Sequence, residues 1–121
     1  MGNDKRRRGK QSDHEVQEGA RVFRLQQLIG EEVNLLLHGE IRDQRLDGVS
    51  ITMVELAGDG SCARLWFWAP EPDRAQVALE GAAGFFRTRL AETLGLKRTP
   101  DLRFRKDQAT TWSDLEGQGS E

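Results

Sequence analysis

The side chains in this sequence that are able to do chemistry are mostly cations, and they fall into two clusters. Between Arg87 and Lys106 stand seven bases, Arg87, Arg89, Lys97, Arg98, Arg103, Arg105 and Lys106, against the two acids Glu92 and Asp101. A second run, Lys5-Arg6-Arg7-Arg8-Gly9-Lys10, lies near the start. Such clusters neutralise phosphates and release counterions, a mode of binding that weakens steeply with salt. The alternative is a solvated charged face. Over its 121 residues the chain carries 18 Lys and Arg against 20 Asp and Glu, a net charge of −2. Any hold on a polyanion must therefore come from local patches and not from bulk charge.

Other chemistry has little to build on. His14 and His38 are far apart and Cys62 is the single cysteine, which leaves no metal-site spacing and no internal disulfide. No Ser/His/Asp or Cys/His constellation, Walker-type loop or carboxylate pair stands out, so the expectation is a binding protein without catalysis, cofactor or metal. No apolar run approaches the ~18 residues of a membrane span, and the basic start has no apolar stretch behind it. A reduced, cytoplasmic protein is expected.

The elements that must position these cations follow from periodicity. The length suits one domain, and with 36% apolar and 31% charged residues its core must be modest and its ends polar. Residues 1–20 read as a flexible basic arm and residues 107–121, with only Trp112 and Leu115 as large apolar groups, as a flexible acidic tail. From Arg21 to Leu37 the residues Val22, Leu25, Leu28, Ile29, Val33 and Leu36 recur at helical steps, with His38 in the final turn and Gly39 behind it. Val49 to Met53 and Cys62 to Ala69 alternate as strands around the turn Gly58-Asp59-Gly60-Ser61. In the second strand Ala63, Leu65, Phe67 and Ala69 form the expected core face, and Arg64, Trp66 and Trp68 point the other way. The first strand changes face between Met53 and Val54, which a bulge explains. Asp73 is the expected N-cap of a second helix reaching Ala82. Gly84 interrupts it, and Phe86, Leu90 and Leu94 continue as a third helix stopped by Gly95. Beyond Pro100, Leu102 and Phe104 alternate with Arg103 and Arg105 in a last strand.

The order α-β-β-α-(kink)-α-β, with a three-stranded sheet and helices on one face, resembles the type II KH fold, an α+β arrangement that binds single-stranded nucleic acid. Gly81-Ala82-Ala83-Gly84 has the spacing of the KH GXXG loop, where missing side chains let a phosphate backbone approach. Three stretches narrow the resemblance. Leu79-Glu80-Gly81-Ala82-Ala83-Gly84-Phe85-Phe86-Arg87 resembles the Ala-x-Gly-Phe-hydrophobic-Arg kink of the ribosome-binding factor A family. Pro100 to Asp107 resembles that family's Pro-Glu-Leu-x-Phe-x-x-Asp, and Ile41 to Leu46 its Ile-x-Asp-Pro-Arg-Leu, with Gln44 in place of the proline. The likeness runs from about Arg21 to Asp107. It implies a helix kink at Ala82 and Gly84 rather than a phosphate-clamping loop.

The resemblance further implies a monomeric, cytoplasmic factor that binds immature 30S ribosomal subunits and 16S rRNA, aiding rRNA processing and cold adaptation. On that reading Arg45, Ala82, Gly84, Arg87, Arg89, Lys97, Arg98, Arg103, Arg105 and Lys106 meet RNA backbone, and Arg6, Arg7 and Arg8 add a contact from the arm. Two rival readings remain. One is a general single-stranded RNA-binding KH module. The other is a protein-interaction module using Trp66 and Trp68, which the expected strand faces place opposite the core; there they suit packing against a tail residue such as Trp112, or a protein contact, better than stacking on bases.

Overall fold

The computed structural model of the chain describes the backbone of residues 2–107 and the side chains of residues 19–107. Its first element is α1 (Gly2–Gly39), followed by a short 3-10 turn (Gln44–Leu46), β1 (Ser50–Leu56) and β2 (Cys62–Trp68). Then come α2 (Pro72–Gly81), α3 (Ala83–Leu94) and β3 (Asp101–Lys106). The expected α+β order is present, but the helix expected from Arg21 begins at Gly2, so the backbone of residues 2–20, expected as a flexible arm, is helical. Residues 1–18, which include the bases of the expected arm, lie outside the described side chains, and 108–121 of the expected tail lie outside the described residues. No helix among the described residues is long and apolar enough to cross a membrane.

The sheet order is β1-β2-β3, with β1 antiparallel and β3 parallel to β2. The bulge falls at Thr52, where the register passes from Ile51↔Phe67 to Met53↔Trp66. The extra residue brings Ile51 and Val54 onto the same buried side and turns Met53 outward, which resolves the change of face in the sequence. The core joins Ile51, Val54, Ala63, Leu65, Phe67 and Phe104 of the sheet to Ile29, Val33, Leu36 and Leu37 of α1, Ala75, Ala78 and Leu79 of α2, and Phe86 and Leu90 of α3. On α1 the buried stripe is completed by Leu37 rather than Leu28, which lies at its margin and is partly exposed.

A sheet of three strands has a free edge on each side, and α1 covers the one at β1. Residues four apart on one line of the helix meet the strand backbone in turn. The Leu56 N–H donates to Gln26 Oε1 at 2.9 Å. The Ile51 N–H donates to Asn34 Oδ1 at 2.7 Å, and Asn34 Nδ2 donates back to the Ile51 carbonyl at 3.1 Å. His38 Nε2 lies 3.3 Å from the Val49 carbonyl. Between Gln26 and Asn34 on this line stands Gly30, where a Cβ would come within 3.3 Å of the Val54 side chain, so the helix lies close against the strand.

Two helix ends differ in how they meet expectation. The N-cap of α2 is Glu71, and Asp73 sits inside the first turn, because Pro72 fixes the opening φ and lacks the N–H that a helix start leaves unused. At the other end of the pair, Gly95 takes the left-handed conformation at φ 65° and ψ 33° and stops α3 as expected.

Replacing Asn34 by Leu strips partners from both backbone groups of Ile51 and is expected to cost about 2 kcal/mol. Leu35→Ala, at a side chain 67% exposed, is the control and should change stability by less than about 0.5 kcal/mol. Urea unfolding midpoints at unchanged slope check both, and equal values for the two variants would show that the polar line does not seal the edge.

Candidate nucleic-acid interface

The second and third helices meet at Ala82, whose φ of −93° and ψ of 0° bend the chain without opening it. The Ala82 N–H donates to the carbonyls of Ala78 at 3.0 Å and Leu79 at 3.1 Å, and the Phe86 N–H donates to the Ala82 carbonyl at 3.0 Å. Helical bonds thus run through the bend, and the corner is a kink and not an extended GXXG loop. Ala82 and Ala83 pack partly against the core, while a Cβ placed at Gly81 or Gly84 would meet open space. Neither glycine is demanded by a close neighbour. What they do is leave the outer side of the kink bare.

That bare side is one wall of a groove of about 540 Å³. Glu80, Ala83, Gly84 and Arg87 line it from the helices, and Asp101, Leu102, Arg103, Phe104 and Arg105 from β3. The strand edge facing α2 is only partly covered, since Gln76 Nε2 donates to the Phe104 carbonyl at 2.8 Å. Arg87 is steadied at the groove by the Thr99 carbonyl at 3.3 Å and the Asp101 carboxylate at 3.7 Å. Arg103 and Arg105 are exposed and make no ion pair within 4 Å among the described residues.

The ten bases and small residues expected to meet RNA therefore divide. Gly84, Arg87, Arg103 and Arg105 come together at the groove, with Ala82 forming the bend behind them. Arg89 instead turns toward α1, where its guanidinium lies 2.9 Å from the Glu40 carboxylate. Arg45 folds back on Asp43 at 2.7 Å, and its side chain and N–H hold that carboxyl below the usual carboxylate range. Lys106 pairs with Asp73 at the start of α2. Lys97 and Arg98 lie in the loop before β3, which joins the β1–β2 turn through the Asp101 N–H to the Ser61 carbonyl at 3.0 Å. Arg6, Arg7 and Arg8 lie outside the described side chains.

Five groove residues, Glu80, Ala83, Asp101, Leu102 and Phe104, were not among the expected contacts. Glu80 and Asp101 are acids, and a search for cations passes over them although Asp101 orients Arg87. Among the described residues no group of three or more His, Cys, Asp or Glu is placed to hold a metal ion.

Three helices against one side of a three-stranded sheet, with a kinked helix pair as the crossover to a parallel edge strand, define a KH-like α+β domain. Residues 21–114 match the family model of ribosome-binding factor A. The chain belongs to the ribosome-binding factor A family. Ribosome-binding factor A of Ruthia magnifica subsp. Calyptogena magnifica is 44% identical over 92 residues, covering 74% of this chain and 82% of that one. The Streptococcus uberis protein of the same name is 34% identical over 99 residues, covering 78% and 85%. The crystal structure of ribosome-binding factor A from Thermus thermophilus aligns with a TM-score of 0.65 at 25% identity, covering 69% of this chain and 91% of that one. A Thermus thermophilus homology model of the factor, fitted into a cryo-electron-microscopy map of a 30S complex, aligns at 0.63 with 25% identity, covering 73% and 97%.

The open space at Gly84 makes a direct test of the kink. Gly84→Ala is expected to leave stability unchanged or raise it by up to ~1 kcal/mol through helix propensity, as read by thermal unfolding. A clear loss would mean that the bend depends on glycine's backbone freedom.

Proposed function

We propose that this protein binds the small ribosomal subunit by laying 16S rRNA backbone along the groove between the kink and β3. The observation that carries the reading is the groove itself, which Arg87 of α3 and Arg103 and Arg105 of β3 line together with the acids Glu80 and Asp101, beside a stretch of helix that Ala83 and Gly84 leave nearly bare. A planar guanidinium grips phosphate oxygens in pairs, and a bare helical surface lets the sugar-phosphate chain approach closely. Contacts of this type fix position on a folded particle and carry little base information, so the shape of the subunit supplies the specificity. The family membership and the relative fitted into a 30S map point the same way.

The finer role follows from the same reading. Occupying the rRNA during maturation, with no bond made or broken by the protein, aids rRNA processing and matters most in the cold, where misfolded RNA is slow to rearrange. The protein acts as a cytoplasmic monomer. The basic residues at the start of α1 add a second electrostatic contact, and Arg45, Arg89, Lys97, Arg98 and Lys106 contribute to the field around the groove more than to the grip within it.

Replacing Arg87, Arg103 and Arg105 together by Gln should abolish co-sedimentation with small subunits at moderate salt. Across a salt series, the slope of log affinity against log salt should fall by about 3, one for each phosphate that an arginine no longer neutralises. An unchanged slope would remove the groove from the interface. Equal or tighter binding of the unaltered protein to free oligonucleotides would favour a general single-stranded RNA binder, and no binding to any RNA would favour a protein-interaction module. Deleting residues 1–10 should weaken subunit binding at low salt and leave the groove's contribution intact; an unaltered salt series would dismiss that contact.

A further inference from the structure

The sheet face turned away from the helices carries a patch that the groove does not use. Along β2 it presents Trp66, half-buried, and Trp68, 40% exposed, and along β1 it presents Met53, 51% exposed. The parallel register sets Arg103 beside Arg64 and Arg105 beside Trp66 on the same face. Arg64 is satisfied by Glu55 at 2.9 Å, and Asp101 is shared with Arg87. The face is therefore aromatic along its middle strand and has two arginines, Arg103 and Arg105, without ion-pair partners among the described residues.

Asp107, the last described residue, continues the ladder of β3 on β2. Strand alternation puts Asp107 on the side of Arg103 and Arg105. Its N–H donates to the Phe67 carbonyl at 2.8 Å, and its carboxylate accepts from the Thr52 hydroxyl, so the side chain reaches across β2 to β1. The next fourteen residues, 108–121, contain Trp112 and Leu115, the acids Asp114, Glu116 and Glu121, and no Lys or Arg. In an extended segment Trp112, Asp114 and Glu116 project on one side at period two. At roughly 3.3–3.6 Å per residue, Trp112 reaches up to about 17 Å from Asp107, and neighbouring strands are only about 4.8 Å apart, so the whole patch is within range.

We propose that residues 108–121 dock on this open sheet face, Trp112 against Trp66, Trp68 and Met53, and Asp114 and Glu116 over Arg103 and Arg105. The match is of both kinds, apolar to apolar and acid to unpaired base, and the short tether holds the segment at a high local concentration. Because Arg103 and Arg105 also line the groove, the docked segment competes with RNA. This second step rests on the function proposed above, whereas the docking does not.

The docking is tested on the full chain without RNA, by nuclear Overhauser contacts and indole N–H shifts in the labelled protein. Contacts between Trp112 and the Trp66 or Trp68 rings are expected, with the Trp66 and Trp68 indole signals moving in Trp112→Ala and in Asp114→Lys/Glu116→Lys. No such contacts and unmoved signals overturn the proposal, whatever the protein does with RNA. Signals that move with protein concentration overturn it in favour of a second copy on the face. The competition is read separately: Asp114→Lys/Glu116→Lys should bind small subunits severalfold more tightly than the unaltered chain. Docking with unchanged affinity would overturn the competition alone, and loss of all RNA binding in the unaltered chain would overturn the proposed function and leave the docking standing.

Discussion

A three-stranded sheet has as many edges as a large one and few strands to share their cost, so the treatment of its two edges shapes the rest of this fold. Each edge exposes unpaired N–H and C=O groups that either find partners or invite another chain. At β1 the answer is a polar line on α1. Gln26 and Asn34 supply side-chain amides to Leu56 and Ile51, and His38 lies against the Val49 carbonyl. Gly30 between them removes the Cβ that would hold helix and strand apart. The line is polar on a helix whose adjoining stripe, Ile29, Val33 and Leu36, is fully apolar. One helix therefore seals a strand edge with one set of residues and closes the core with the next.

The other edge is governed by chain direction. A strand parallel to its neighbour must be reached by a crossover that returns the full length of the sheet. β2, with seven residues, is about 23 Å long at ~3.3 Å per residue. The 10 residues of α2, Ala82 and the 12 of α3 would form a straight helix of roughly 34 Å at 1.5 Å per residue, which overshoots. Bending at Ala82 resolves the mismatch while the helical bonds through Ala78 and Phe86 are kept. It also leaves α2 over only part of β3, with Gln76 on the Phe104 carbonyl. The groove is the space between a bent crossover and the strand it serves.

Periodicity in the sequence was enough to mark these elements, because the residues that decide them, such as Ile29, Val33, Leu65, Phe67, Phe86 and Leu90, lie buried at helical or strand spacing. Motif resemblance located the kink for the same local reason. What escaped depends on partners far along the chain. The bulge belongs at Thr52 only because Met53 pairs with Trp66. Leu37 displaces Leu28 from the buried stripe because the axis of α1 is set by its fit to β1, which Gln26 and Asn34 fix. The arginines show the limit most clearly. Seven bases between residues 87 and 106 look like one patch, yet helix rotation turns Arg89 to Glu40 and strand position turns Lys106 to Asp73. A linear charge count carries no information about which way a helix or strand presents its residues.

That division also keeps the stability of the fold separate from its surface ion pairs. The pairs Arg87 to Asp101, Lys106 to Asp73 and Arg64 to Glu55 all lie at the surface, where an ion pair is worth about 0–1 kcal/mol. Releasing Arg87 from Asp101 therefore costs little, and the fold rests on the apolar contacts of Phe86, Leu90, Phe104 and their neighbours beneath. Arg89 is the contrast. Its Nε is buried without a hydrogen-bond partner among the described residues, while its terminal nitrogen holds Glu40 just beyond the end of α1. Within one cationic run, Arg87 and Lys106 hold only surface pairs and Arg103 and Arg105 hold none among the described residues, whereas Arg89 is partly buried between two elements.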